Sequence, residues 1–246
     1  MQILLLMNGR GERFKKAGYT TPKPFLKLQG KTLIERVLKC YQGMGQITCL
    51  VGREYVTEEF ISLGTKFNLD FFILDKFHRG PAETVLESRK AIKEEEILVA
   101  DCDSLISTKE LQKGIDFFKR KKAQGGSPLM ITEDPEVSYA RLDHGTFEIF
   151  QTKEREQLSH WSTTGPYWFK YSRDLLEACT ENIKTGEYHI SPCFNVLISR
   201  KKKVYGYPVI QFLHLGTPEA YEKYAYHSDL EFQRPEINGH LPEVSR

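Results

Sequence analysis

Ile3-Leu4-Leu5-Leu6-Met7 runs directly into Asn8-Gly9-Arg10-Gly11-Glu12-Arg13-Phe14, and Thr21-Pro22-Lys23-Pro24 follows a few residues later. Five consecutive apolar residues without alternation predict a strand covered on both faces, the usual state of a central parallel strand. Gly9 and Gly11 then let the chain turn tightly and bring backbone N–H groups against an anion. Arg10, Arg13, Lys15, Lys16, Lys23, Lys27 and Lys31 crowd this segment against one acid, Glu12. A buried strand opening into such a loop predicts a polyphosphate site. Two glycines and a basic run are common in ordinary turns, so the reading gains weight only from what surrounds them.

Downstream, strand-like and helix-like stretches alternate. Leu33, Ile34, Val37, Leu38 and Tyr41 share one face of a helix that Gly43 can end. Residues 47–51 read as a strand, 54–63 as a helix stopped by Gly64, and 70–74 as a third strand. A helix with Val85, Leu86 and Ile92 inward is expected after Pro81, then a strand over 97–100 and a helix marked by Leu111, Ile115 and Phe118. This alternation predicts parallel strands with right-handed crossovers, helices on both faces, and ligands at the carboxyl ends of the strands. Asp101-Cys102-Asp103 follows the fourth strand at such an end. Two acids in that position are candidates for a divalent cation, although a turn or helix start also uses them.

From Leu129 the strands shorten. Residues 139–142 and 146–151 flank Asp143-His144-Gly145 as a hairpin, and residues 161–171 form a strand interrupted at 163–166. A helix with Leu175, Leu176, Cys179 and Ile183 inward follows, and Ser191-Pro192 and Thr217-Pro218 each read as a cap with proline at the first helical position. The expected organisation is one domain over 1–225, with a nucleotide half (about 1–125), an acceptor half (about 126–225) and an irregular tail, 226–246.

With 246 residues and 40% hydrophobic content, the chain has an ordinary globular composition. A net charge of +2 with bases clustered at one loop argues against nucleic acid as a partner. The apolar runs are strand-length, far short of the ~20 residues of a membrane helix, and no charged-then-apolar leader opens the sequence; a cytoplasmic protein without membrane insertion is expected. Cys40, Cys49, Cys102, Cys179 and Cys193 contain no Cys-x-x-Cys pair, so a disulfide framework or zinc site is not indicated.

The order of strand, Gly-x-Gly-x-Arg-Phe, Pro-Lys-Pro and Gly30-Lys31 resembles the nucleotidyltransferases that make nucleotide-activated sugars, closest to small capsule- and surface-polysaccharide enzymes. Asn8 departs from their usual alanine and Thr32 from a common proline. The resemblance extends through Thr163-Thr164-Gly165-x-Tyr167-x-Phe169, Gly186-Glu187-Tyr188-x-Ile190-Ser191-Pro192…Asn195 and Leu215-Gly216-Thr217-Pro218. It implies a three-layer α/β/α, Rossmann-like (GT-A-like) fold with a mostly parallel mixed sheet. It also implies NMP transfer from an NTP, a pyrimidine one, to a phosphorylated small molecule, with Mg²⁺ as cofactor. Carried over residue by residue, Arg13, Lys23 and Asp103 become catalytic, and Asp103 the metal ligand. Met7, Asn8, Gly9, Arg10, Gly11, Lys23, Gly80, Pro81, Ala82 and Asp101 would hold the nucleotide. Lys153, Thr164, Gly165, Glu187, Tyr188 and Asn195 would hold the acceptor, by default a sugar 1-phosphate, with a phosphorylated amine, alcohol or amino acid as the alternative. His214 stands where such enzymes often carry a second metal aspartate; Mg²⁺ prefers oxygen, and a structural role for this histidine is favoured. Association into homo-oligomers stays open.

The chemistry suits these residues. A phosphate monoester is already ionised near neutral pH, its second pKa being about 6, so no general base is needed to attack the α-phosphorus. Catalysis then rests on positioning and charge neutralisation. Arg13, with its planar fork, suits the β- and γ-phosphates, and Lys23 the α-phosphate. One rival is a glycosyltransferase using Asp101-x-Asp103 as its metal motif, which has no use for Arg13 and Lys23 beside a triphosphate. Another is a non-catalytic nucleotide-binding regulator, which measurable turnover would exclude.

Overall fold

A computed structural model describes residues 1–225; the expected tail lies outside the described residues. The first half contains β1 (Gln2–Met7), α1 (Glu12–Lys16), β2 (Lys27–Leu28), β3 (Lys31–Thr32), α2 (Leu33–Tyr41), β4 (Gln46–Gly52), α3 (Glu58–Phe67), β5 (Leu69–Leu74), α4 (Pro81–Glu87), β6 (Ile97–Asp101), β7 (Ser104–Ile106) and α5 (Thr108–Arg120). The second contains β8 (Gly125–Ile131), β9 (Ser138–Leu142), β10 (Ile149–Glu154), β11 (Trp161–Thr163), β12 (Tyr167–Phe169), α6 (Ser172–Lys184), α7 (Cys193–Ser199), β13 (Val204–Pro208), β14 (Phe212–His214) and α8 (Pro218–Ala225).

The unbroken apolar run of β1 has a direct explanation. Ile3, Leu5 and Met7 enter one hydrophobic core, with α2, α3 and α5, while Leu4 and Leu6 enter another, with α4, α6 and α7. Helices therefore cover both faces, and β1 has no wet side. It lies between β4 and β6, parallel to both, and β5 runs parallel beside β4. Beyond β6 the sheet continues β12, β8, β11, β9, β10, with β13 also pairing β8. Only β10, β11 and β12 run against the other strands, giving the mostly parallel mixed sheet that the sequence implied.

Five local expectations need correction. The helix expected over 54–63 is a short 3₁₀ turn followed by α3, because Thr57 Oγ1 accepts the Phe60 N–H (3.2 Å) and caps the helix later. Gly64 does not stop α3; it lies inside it, under the Phe71 ring, and Asn68 (φ 52°) supplies the left-handed cap. The helix after Pro81 ends at Glu87, short of Ile92, because the Gln2 side chain binds the Ala91 carbonyl and the Lys93 N–H (both 2.8 Å) and fixes a turn there. In the hairpin, Asp143 Oδ1 accepts from the N–H groups of Gly145 and Thr146 and from the Thr146 hydroxyl, holding a wider turn, and β10 starts at Ile149. Thr217 caps α8 as expected, its hydroxyl accepting the Ala220 N–H (3.2 Å), but Ser191 does not cap α7: Pro192 occupies the cap position.

Candidate active site

β1 sits at the switch point of the parallel half, with β4 and β5 filed on one side and β6 on the other. Ligand clefts form there, at the carboxyl ends of the strands, and the loop 8–11 and Asp101-Cys102-Asp103 both emerge at that point. The buried Asn8 side chain anchors the loop, its Nδ2 donating to the Lys76 carbonyl (3.2 Å) and to His78 Nδ1 (2.8 Å). The Tyr55 hydroxyl donates to the Gly9 carbonyl. Gly11 takes φ 64°, a conformation costly to any residue with a Cβ, whereas Gly9 has open space around it.

Two cavities of about 740 and 700 Å³ meet at this loop. Gly11, Glu12, Lys23, Pro81, Asp101 and Asp103 form walls of both. The smaller continues past Asn8, Gly9, Arg10, Arg79 and Gly80. The larger opens over β8–β11 and also takes Ala220 and Lys223 from α8. That helix is tied to the loop region by hydrogen bonds from Tyr221 to the Lys27 carbonyl and from Tyr19 to Glu222 (both 2.6 Å), and the rings of Phe14, Tyr19 and Tyr221 pack edge to face.

At the junction, the Lys23 ammonium binds Asp103 Oδ2, with the two side chains only 18% and 12% exposed. Burial pulls the Lys23 pKa down, but the Asp103 carboxylate outweighs it and holds the lysine charged. Burial pushes the Asp103 carboxyl up, and Lys23, followed by His214, overcomes it and keeps the group ionised. Asp101 is pushed up by burial and by the neighbouring Asp103 charge, which outweigh the pull of Lys23. Asp103 Oδ1 is buried with no hydrogen-bond partner among the described residues. An orphaned carboxylate oxygen on a cavity wall suits a hard divalent cation, which binds oxygen ligands, so the residues present fit Mg²⁺.

Most of the expected nucleotide residues converge. Asn8, Gly9, Arg10, Gly11, Lys23, Gly80, Pro81 and Asp101 line the smaller cavity; Met7 and Ala82 lie behind it in the two cores. Arg13 faces the larger cavity, 3.4 Å from Glu136. Of the expected acceptor residues, Thr164 lines the larger cavity and Tyr188 the smaller. Gly165 stands against Asp101 Oδ2, 3.2 Å from where a Cβ would be. Lys153, Glu187 and Asn195 are not in either lining. Lys153 pairs with Glu156; Glu187 accepts from the N–H groups of Tyr188 and His189; Asn195 exchanges hydrogen bonds of 2.8 Å with the Thr152 backbone and ties α7 to β10. The larger cavity instead receives Glu154, Arg155 and His189. Strand alternation contains the signal for Glu154, since successive side chains on β10 point to opposite faces. Glu154 pairs across the sheet with Ser138, whose hydroxyl donates to it, and Ser138 pairs with Thr163, so one row of polar side chains forms the cavity wall.

This geometry has counterparts. Residues 3–136, more than half of the chain, match the MobA-like NTP transferase domain, and the protein belongs to that family. It is a nucleotidyltransferase, an enzyme that moves a nucleoside monophosphate group from an NTP with release of pyrophosphate. A nucleoside-diphosphate-sugar pyrophosphorylase from Vibrio cholerae RC9 is 25% identical, with a TM-score of 0.79 over 92% of this chain and 100% of that one. Two more distant structures share the fold: a UDP-glucose pyrophosphorylase complexed with UDP-glucose (19% identity, TM-score 0.72, 91% and 96% coverage) and the inositol-1-phosphate CTP transferase from T. maritima (15%, 0.71, 90% and 93%). Among curated proteins nothing matches this chain. No described helix is long and apolar enough to cross a membrane.

Proposed function

We propose that the smaller cavity binds a pyrimidine nucleoside triphosphate and the larger a phosphorylated small metabolite, by default a sugar 1-phosphate, for surface-polysaccharide precursor synthesis in the cytoplasm. The observation that supports this is the junction: two cavities of substrate size share walls at Lys23 and Asp103, so two phosphorylated ligands can meet beside one fixed ammonium. Residues 1–225 act in this reading as one unit with a nucleotide side and an acceptor side.

Backbone N–H groups of the loop 8–11 and the side chains of Arg10 and Lys23 bind the triphosphate. Lys23 neutralises charge at the α-phosphate as the acceptor oxygen approaches, and the Asp103 contact holds its ammonium in place. Arg13, reaching the junction from the larger cavity, neutralises phosphate charge during transfer, and Arg155 draws anionic groups into that cavity, while Glu154 and Thr164 accept or share hydrogen bonds with the acceptor's polar groups. Mg²⁺ bound at Asp103 Oδ1 would supply further charge neutralisation for the phosphates. Asp101, at the edge of the same junction, orients the groups around it.

A pyrophosphate-release screen crossing CTP, UTP, dTTP, ATP and GTP with sugar 1-phosphates and non-sugar phosphomonoesters tests the assignment. Release with a pyrimidine triphosphate and a sugar 1-phosphate is expected. A purine preference overturns the base assignment, and release only with phosphorylated amines, alcohols or amino acids replaces the sugar.

A further inference from the structure

The sheet wall of the larger cavity carries a carboxylate without a counter-ion. Glu154, on β10, accepts a hydrogen bond from the buried Ser138 hydroxyl and makes no ion pair among the described residues. Cations border the same cavity, but they are engaged elsewhere: Arg13 and Arg155 both turn to Glu136 (3.4 and 3.6 Å), and His189 Nδ1 lies 2.8 Å from Glu187. Burial pushes the Glu154 carboxyl up from its ordinary value, as happens to a charge that is withdrawn from water and poorly balanced. Tyr167 stands near it, since burial and then the Glu154 charge raise its phenol.

The hydrogen-bond inventory of this wall is one-sided. The Ser138 proton goes to Glu154, and the hydroxyls of Ser162, Thr163 and Thr164 donate to the carbonyls of Thr163, Ser138 and Pro128 (3.3, 3.5 and 3.2 Å). All four residues line the cavity, and with their protons spent they offer a ligand only lone pairs. A sugar hydroxyl brings both a donor and an acceptor, and its acceptor side finds no spare proton among these groups. An ammonium brings three donors, no acceptor, and the charge that Glu154 lacks. The Tyr167 ring adds an aromatic surface to the same wall, which also favours a cation.

We propose that the acceptor is a phosphomonoester bearing an ammonium group, which Glu154 binds while the phosphate faces the Lys23 junction. The inference rests on the assignment of the larger cavity to the acceptor and names the group at that acceptor's other end. An amino sugar 1-phosphate and a phosphorylated amino alcohol both carry it.

Two matched sets of acceptors test it, each given to the full-length protein with every common NTP while pyrophosphate release is followed. One set is glucosamine 1-phosphate, its N-acetyl form and glucose 1-phosphate. The other is 2-aminoethyl phosphate, its N-acetyl form and 2-hydroxyethyl phosphate. Within a set only the charged nitrogen is lost or masked. In at least one set the amine is expected to have a kcat/KM at least tenfold above both neutral members, and the set that responds identifies the source of the group. Glu154→Gln should lower kcat/KM for that amine at least tenfold, chiefly through KM, and change the neutral members less than threefold. Glu154→Asp, which keeps the charge, should keep the preference, and circular dichroism melts identify any variant that fails to fold. Equal use of amine and neutral members, release confined to neutral phosphomonoesters, or an equal loss for all members in Glu154→Gln overturns the ammonium site and leaves the two-cavity reading standing. Release with no phosphomonoester at all overturns both.

Discussion

Lys23 holds one oxygen of Asp103 where the two cavities meet, and the other oxygen of that carboxylate has no hydrogen-bond partner among the described residues. The lysine and the vacant oxygen are therefore set by a single side chain. Asp103→Asn removes the counter-charge of a buried ammonium as well as the cation ligand. Breaking a buried pair costs about 3–5 kcal/mol when no water reaches it, and an open cavity reduces that to roughly 1–3 kcal/mol. Turnover should fall by orders of magnitude, and the melting temperature by several degrees. Asp101→Asn, which breaks no such bond, should lose less. Equal, mild effects on turnover would show that the junction is not the reacting centre.

Lys23→Ala and Arg13→Ala should each lower kcat more than they raise KM, because unneutralised charge is felt most in the transition state. The loss should be greater at Lys23, which is enclosed, than at Arg13, which is half exposed beside Glu136. Near-wild-type pyrophosphate release at saturating substrates by either variant removes that residue from the phosphate site.

The two loop glycines should separate by measurement. Gly11→Ala forces a left-handed backbone at a cost of about 1–2 kcal/mol, so thermal stability and activity should both fall. Gly9→Ala meets no other described residue within 4 Å beyond its chain neighbours. Its melting temperature should stay near wild type while the KM for the nucleotide rises, because the added methyl enters the cavity.

On β10, neighbouring residues should behave oppositely. Glu154→Gln should raise the KM for the acceptor severalfold, and Lys153→Ala should leave it unchanged. A larger effect at Lys153 would mean that acceptor recognition lies on the other face of the strand.

The core offers a test independent of substrates. A Cβ at Gly126 would stand 2.6 Å from the ring of Phe118, which is fully buried and stacks on Trp168. Overpacking of this kind costs about 1–3 kcal/mol, so Gly126→Ala should lower the melting temperature while kcat persists at temperatures where the protein is folded.

What was legible in the sequence follows from how local the signal is. The run 3–7 announced a strand buried on both faces, and Arg10, Lys23, Asp101 and Asp103 came together because strand ends at a switch point gather by topology. Side chains on the antiparallel half were harder. The resemblance points to Lys153, but motif position says nothing of which face of β10 a residue occupies, and it is Glu154 that lines the larger cavity. Asn195 is polar and near the site in sequence, yet it serves the α7–β10 contact, since a buried backbone edge must satisfy its hydrogen bonds. His189, Glu136 and Lys223 reach the larger cavity from separate elements, and no spacing rule links them.

The tie between α8 and the first loop has an implication for how the enzyme comes into being. Ribosomal synthesis delivers Gly11 and Arg13 early and Lys223 late, yet all three face the same cavity. A nascent chain that has emerged as far as β13 already contains every described residue that lines the smaller cavity. Its larger cavity still lacks one side. In the proposed reading, the triphosphate side is therefore complete in sequence before the acceptor side, whose ring α8 closes last.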